Sequence, residues 1–205
     1  MKKASYWNDF FKKQNNITNH ENNDWLSSYK DFFTKNKKVL DLGCGNGNNI
    51  NFILNYTPEI IAADFSLEAL KIVNHKFDNV ETISFDMTDT FPFDEDTFDV
   101  IVADLSLHYF SWSDTKKIIS EISRTLKNKG ILIARVHSIK DVVSSEKILI
   151  EENYYFVNEY SRRFFDLKNI KQLFIGWKFI TMVEKEIIKF NTQKNIIEFA
   201  VENNK

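Results

Sequence analysis

From residue 38 the chain alternates between two rhythms. Short apolar runs at 38–42, 59–63, 80–85, 98–103 and 131–136 have the length and branched content of strands, and the stretches between the first four and after the fourth space apolar residues three or four apart, or turn sharply. Ile50, Ile53 and Leu54 mark the first helical stripe. Ala69, Leu70, Ile72 and Val73 mark the second, entered through Ser66 as N-cap, and Ile118, Ile119, Ile122 and Leu126 mark a third over 113–126. Strands interleaved with helices predict a mainly parallel sheet covered on both faces, a doubly wound α/β fold. The rhythm changes at the end: 178–189 and 195–201 read as two strands with only 191–194 between them, and so short a link forces antiparallel pairing. Five strands and this hairpin make a seven-stranded sheet. A further helix is expected over 24–33, behind an aromatic stretch with Tyr6, Trp7, Phe10 and Phe11.

Two interruptions of the pattern carry chemistry. Three of the five glycines, Gly43, Gly45 and Gly47, follow the first strand directly. Glycine weakens strands and helices by roughly 0.5–1 kcal/mol relative to alanine, so such crowding marks backbone that must turn sharply or lie against a ligand. The second interruption is acidic. Asp41, Asp64, Asp86 and Asp104 stand at or just beyond the ends of four different strands, which places them on the rim where ligands of a doubly wound sheet bind.

Composition narrows the field without deciding it. The 205 residues, 43% of them hydrophobic, suffice for a single domain over 1–205, with 1–35 as an N-terminal helical and aromatic cap and 138–175 as an insertion on the acceptor side. The formal charge of -2 and the scattered lysine pairs give no nucleic-acid footprint. The single cysteine, Cys44, cannot form an intrachain disulfide, and no signal peptide or membrane-length apolar stretch is present. A soluble cytoplasmic protein is expected, with no membrane or nucleic-acid partner, as a monomer or homodimer. His20, His75 and His137 show no metal spacing, so no metal is expected.

The spacing of the loop separates two ligands. A dinucleotide fingerprint needs GxGxxG, but its last glycine would fall on Asn48, and pyrophosphate disfavours a carboxylate such as Asp41 beside it. S-adenosylmethionine has no phosphate and presents an ammonium, ribose hydroxyls, an adenine amine and a sulfonium, all suited to acidic or carbonyl partners. An acid-rich rim fits this cation better.

Over residues 36–137 the chain resembles the class I S-adenosylmethionine-dependent methyltransferases, a Rossmann-like fold, because the motifs come in order. Asp41, Gly43, Gly45 and Gly47 meet the family's DxGxGxG in full. The resemblance implies that Asp64 accepts the ribose hydroxyls, that Phe65 lies against adenine, and that Asp86 takes the adenine amine while the amide of Met87 reaches the ring. Asp104 and Leu105, in DLSLHY, resemble the exit of the fourth strand, and KNKG at 127–130 the turn into the fifth. S-adenosylmethionine is thus the implied cofactor and S-adenosylhomocysteine the product. DLSL after the fourth strand lacks the Pro-Pro-aromatic signature of enzymes that methylate exocyclic amines of bases, which favours a small-molecule acceptor. SRRFFD at 161–166 is faintly similar to tellurite-resistance methyltransferases.

Methyl transfer from a sulfonium is an in-line displacement that asks mainly for positioning. A hydroxyl acceptor would benefit from a base, and His108, four residues beyond Asp104, is the catalytic candidate. Tyr6, Trp7, Tyr109, Tyr154, Tyr160 and Arg162 are the candidate acceptor pocket; the plainer role is capping or packing for His108, core packing for the rings and surface charge for Arg162. Two other functions stay open: a non-catalytic cofactor-binding module, and an aminopropyl-type transferase of the same fold.

Overall fold

The computed structural model describes residues 2–14, 24–141, 147–157, 159–189 and 192–205. Helix α1 (Lys2–Gln14) and a 3-10 helix (Asp24–Phe32) precede the sheet. There follow β1 (Val39–Leu42), α2 (Ile50–Leu54), β2 (Ile60–Ala63), α3 (Leu67–Lys76), β3 (Glu81–Ile83), β4 (Phe98–Asp104), α4 (Trp112–Thr125) and β5 (Leu126–His137). A small unit of β6 (Lys147–Glu151), β7 (Tyr154–Val157), β8 (Tyr160–Arg163) and α5 (Leu167–Leu173) leads to β9 (Lys178–Lys189) and β10 (Thr192–Glu202). No helix among the described residues is long and apolar enough to cross a membrane.

The seven-stranded sheet has the order β3-β2-β1-β4-β5-β10-β9. β3, β2, β1, β4 and β5 pair in parallel, and β10 runs antiparallel to both β5 and β9. Strand order reverses between β1 and β4, so the crevice for a ligand opens above those two strands. The strands' period of two divides the core into two layers. Leu40, Leu42, Ile101, Ala103 and Leu132 face α4 and α5 through Ile118, Ile122, Ile170 and Phe174. Val39, Val100, Val102 and Ile133 face α2, α3 and the 3-10 helix through Ile50, Ile53, Val73, Trp25 and Leu26. Asp41, Asp104 and Arg135 continue this second set at the carboxyl ends, so alternation alone places these charged groups on one face.

Several boundaries differ from the sequence reading. The helix over 24–33 is a 3-10 helix, and the third strand is only three residues long because Phe85 leaves the sheet to pack on Phe91 and Phe93. β9 ends at Lys189 and β10 starts at Thr192, so most of the expected 191–194 turn is strand; Asn191 itself lies outside the described residues, as does His20. Gly130 does not take the left-handed position of its turn; Lys129 does, with φ 60. Gly130 is needed for close approach, since a Cβ there would lie 2.9 Å from the Lys127 carbonyl oxygen. The 138–175 segment contains the antiparallel sheet β6-β7-β8, joined to the main sheet by an isolated bridge between Ser138 and Phe165.

Candidate active site

The glycine loop is built by contact with two neighbouring strands. Gly43, Gly45 and Gly47 have φ of 75, 53 and 82, a region that costs any other residue except Asn or Asp dearly. The amides of Gly43 and Cys44 both donate to the Ala63 carbonyl, at 2.7 and 2.9 Å. A Cβ on Gly43 would stand 2.4 Å from Ser106 Cβ and 2.9 Å from Met87 Cε. Ser106 Oγ in turn donates to the Leu42 carbonyl at 2.7 Å. The loop is therefore clasped between the ends of β2 and β4, with the Met87 side chain against it.

Around this loop stand the acidic residues. Asp64 accepts the Gly45 amide at 3.0 Å and the Ser66 amide at 2.9 Å, which locks its carboxylate beside the loop. Burial raises its pKa against those hydrogen bonds. Asp41 is fully buried at the end of β1; Oδ1 accepts from Asn49 Nδ2 at 3.1 Å, and Oδ2 has no hydrogen-bond partner among the described residues. Burial pushes its pKa up to about 7. Asp86 accepts both the amide and the hydroxyl of Thr88, at 2.9 and 2.8 Å, closing an Asx turn beyond β3. Phe65 is half-buried between Asp64 and Ser66.

Asp104 has a different setting. Its carboxylate forms a bidentate pair with Arg135 at 2.7 and 2.8 Å, both groups buried, and Arg135 lies 4.3 Å over the Trp25 ring. Trp25 Nε1 donates to Asn49 Oδ1 at 3.1 Å. Asp41, Asn49, Trp25, Arg135 and Asp104 thus form one polar chain beneath the crevice. Leu105, with φ 54, turns the backbone out of β4, and its amide donates to the Arg135 carbonyl at 3.0 Å. Trp25, Asn49 and Arg135 were missed in the sequence; the one available signal was a charge, Arg135, inside the apolar run 131–136.

Beyond β4 an aromatic cluster closes the rim. Tyr6, Trp7, Tyr109 and Tyr160 meet with ring centroids 5.0–5.8 Å apart, and the Arg162 guanidinium stands 5.1 Å over Tyr160. Tyr154 joins through its hydroxyl, which donates to the Tyr109 carbonyl at 3.2 Å, while its ring is buried under Arg163. His108 is fully buried on the 3-10 turn Leu107–Tyr109, its ring against Tyr109 and His137. Beyond Tyr6 and Trp7, two further residues of α1 contact the cleft's elements, one at the N-cap of α3 and one at the glycine loop. Asn8 Oδ1 accepts from Ser66 Oγ at 2.7 Å, and Phe11 Cζ lies 3.2 Å from where a Gly45 Cβ would be.

The sequence model of the methyltransferase domain matches residues 39–130, the span from β1 through the turn in β5. Residues 39–130 thus carry the sequence pattern of a methyltransferase domain. The uncharacterized methyltransferase YcgJ of Bacillus subtilis (strain 168) is 29% identical over 129 residues, 61% of this chain and 47% of that protein. The tRNA N(3)-cytidine methyltransferase METTL2 of Mus musculus is 31% identical over 116 residues, 51% of this chain and 30% of its own. The chain spans less than half the length of these relatives. A methyltransferase structure from Methanosarcina mazei superposes with a TM-score of 0.77 at 15% identity, covering 86% of this chain and 97% of that one.

The residues present fit S-adenosylmethionine. A buried carboxylate oxygen without a partner, Asp41 Oδ2, asks for a cationic or donor group, and three left-handed glycines leave the backbone open to approach. Asp64 and Asp86 keep acceptor capacity beyond the hydrogen bonds described.

Proposed function

We propose that this chain transfers a methyl group from S-adenosylmethionine to a small-molecule acceptor. The observation that carries the reading is the pairing of unpartnered, buried Asp41 Oδ2 with the clasped glycine loop. When bound, S-adenosylmethionine supplies a methyl group already activated by its sulfonium.

The residues of the chain have positioning roles. Asp64 holds the ribose hydroxyls, Phe65 lies along the adenine, and Asp86 with the Met87 amide recognises its edge. Asp41 and the loop face the methionine part. Asp104, tied to Arg135, and Leu105 shape the floor by the methyl group, and His108 with the Tyr6, Trp7, Tyr109 and Tyr160 rings walls off water. Aromatic faces also stabilise a sulfonium by about 0.5–2 kcal/mol. Orientation and exclusion of solvent can supply on the order of 7–11 kcal/mol of the barrier. Arg162 at the rim suits an anionic acceptor.

A nucleic-acid acceptor is the second reading, favoured by the tRNA methyltransferase among the relatives. The formal charge of -2 and the DLSL tetrapeptide weigh against it. A panel of catechol, aniline, thiophenol and bulk tRNA, followed by S-adenosylhomocysteine release, separates the two. Turnover is expected with one or more of the small molecules; turnover with tRNA alone would overturn the small-molecule assignment.

A further inference from the structure

Behind His108 lies a histidine–aspartate pair that the cofactor cleft does not use. His137 ends β5, on the same rim as Asp104, and its Nδ1 stands 2.8 Å from Asp141 Oδ2, off the line of a strong hydrogen bond. Asp141 is held from its other side. Its Oδ1 accepts the Asn195 amide at 3.1 Å, and its own amide donates to the Ser138 carbonyl at 2.9 Å. The turn carrying it is pinned again where Ser138 and Lys140 both bind Glu184 of β9. Both side chains are buried, with 7% of His137 and none of Asp141 exposed.

The other contacts of the imidazole are rings, one of them His108, which packs on Tyr109 of the aromatic rim. The His137 ring meets His108 edge to face, with centroids 4.5 Å apart, and Phe164 lies 6.0 Å away. Asp141 also lines a cavity of about 50 Å³ with Asn153, Tyr155 and Phe164, large enough for water. Burying a carboxylate and an imidazole costs several kcal/mol, and an amide side chain would pin the turn without that cost. A carboxylate held by the Asn195 amide, on a pinned turn and 2.8 Å from Nδ1, favours the tautomer with its proton on Nδ1 and leaves Nε2 as a proton acceptor.

We propose that His137, positioned by Asp141, is the base that takes the proton of a hydroxyl or amine acceptor, a role that rests on the methyl-transfer reading above. The acceptor's O–H or N–H bond gives its proton to Nε2 and leaves its electron pair for the new bond to carbon. The pair of the broken carbon–sulfur bond stays on sulfur. Burial lowers the pKa of His137 despite Asp141, with Arg162 and Lys194 adding to the effect, so the imidazole is neutral and able to accept. Asp141 stays ionised, its pKa held down by His137 and the Asn195 amide.

Long-range 15N–1H spectra of the full chain, loaded with S-adenosylhomocysteine, read the tautomer directly. His137 is expected neutral with its proton on Nδ1, and Asp141→Asn should shift the population toward protonated Nε2. A wild-type ring already protonated on Nε2 would overturn the assignment. With catechol or aniline as acceptor, His137→Gln should cut kcat at least ~100-fold at unchanged KM, but turnover of thiophenolate should change by no more than about threefold. Equal loss for all three acceptors, or no loss, counts against a base. S-adenosylhomocysteine affinity measured by calorimetry should be the same in His137→Gln as in wild type; absence of binding by the wild-type chain would overturn the methyl-transfer reading itself, and the base with it.

Discussion

Asp41 shows how one residue can link stability to ligand. Its carboxyl has an ordinary pKa near 3.8, and burial raises it to about 7 in the folded chain. The folded state therefore holds a proton that the unfolded state has released. The corresponding stability is fully present below the unfolded pKa and is lost as pH rises through about 7. A shift of this size corresponds to at most about 4 kcal/mol. The expected outcome is a melting temperature that falls between pH 5 and pH 8 without ligand, and a flatter profile in Asp41→Asn; thermal melts of both proteins across that range check it. A cationic ligand group beside Oδ2 favours the ionised form, so the fall should shrink with S-adenosylmethionine present. The four rim aspartates were all visible in the sequence as acids at strand ends. Their partners were not: Asn49 under Asp41 and Arg135 on Asp104 are brought there by the fold, and sequence spacing does not encode a contact between residues 31 apart.

At the scale of elements, β4 and β5 are joined by more than their ladder. Arg135 and Asp104 pair across them at directly opposed positions of the register, under the Trp25 ring of the 3-10 helix. Removing the guanidinium leaves a carboxylate buried without its counter-charge, and such a loss typically costs about 3–5 kcal/mol. Arg135→Met should therefore destabilise the chain strongly, while the double variant with Asp104→Leu should recover much of the loss. Urea unfolding of the two variants would show it, and equal destabilisation in both would mean that the pair matters only for packing. The main strands and helices were legible because each is buried on defined faces, which enforces period two or 3.6. β6 was not. Ile148, Leu149 and Ile150 are consecutive and all exposed, so the strand has no buried face to print an alternation in the sequence.

For the whole molecule, the cleft at the β1–β4 switch point, the clasped glycine loop and the aromatic rim act together. α1 holds the N-cap of α3 through Asn8, abuts Gly45 through Phe11 and joins the rim through Trp7, so one helix spans the glycine loop and the aromatic rim. The ordered motifs made the glycine loop and the acids beside it legible from the sequence. The aromatic rim was legible only as a concentration of aromatic residues, because the rings come from α1, the turn after β4 and β8, three segments far apart in the chain. The most direct measurement is a calorimetric titration with S-adenosylmethionine of the wild-type chain and of Asp64→Ala. Saturable one-to-one binding is expected for the wild type, with a loss of about 1.5–3 kcal/mol in the variant as its charge-assisted hydrogen bonds to ribose disappear. No binding by the wild type, or wild-type affinity in Asp64→Ala, would contradict the assignment of the cleft.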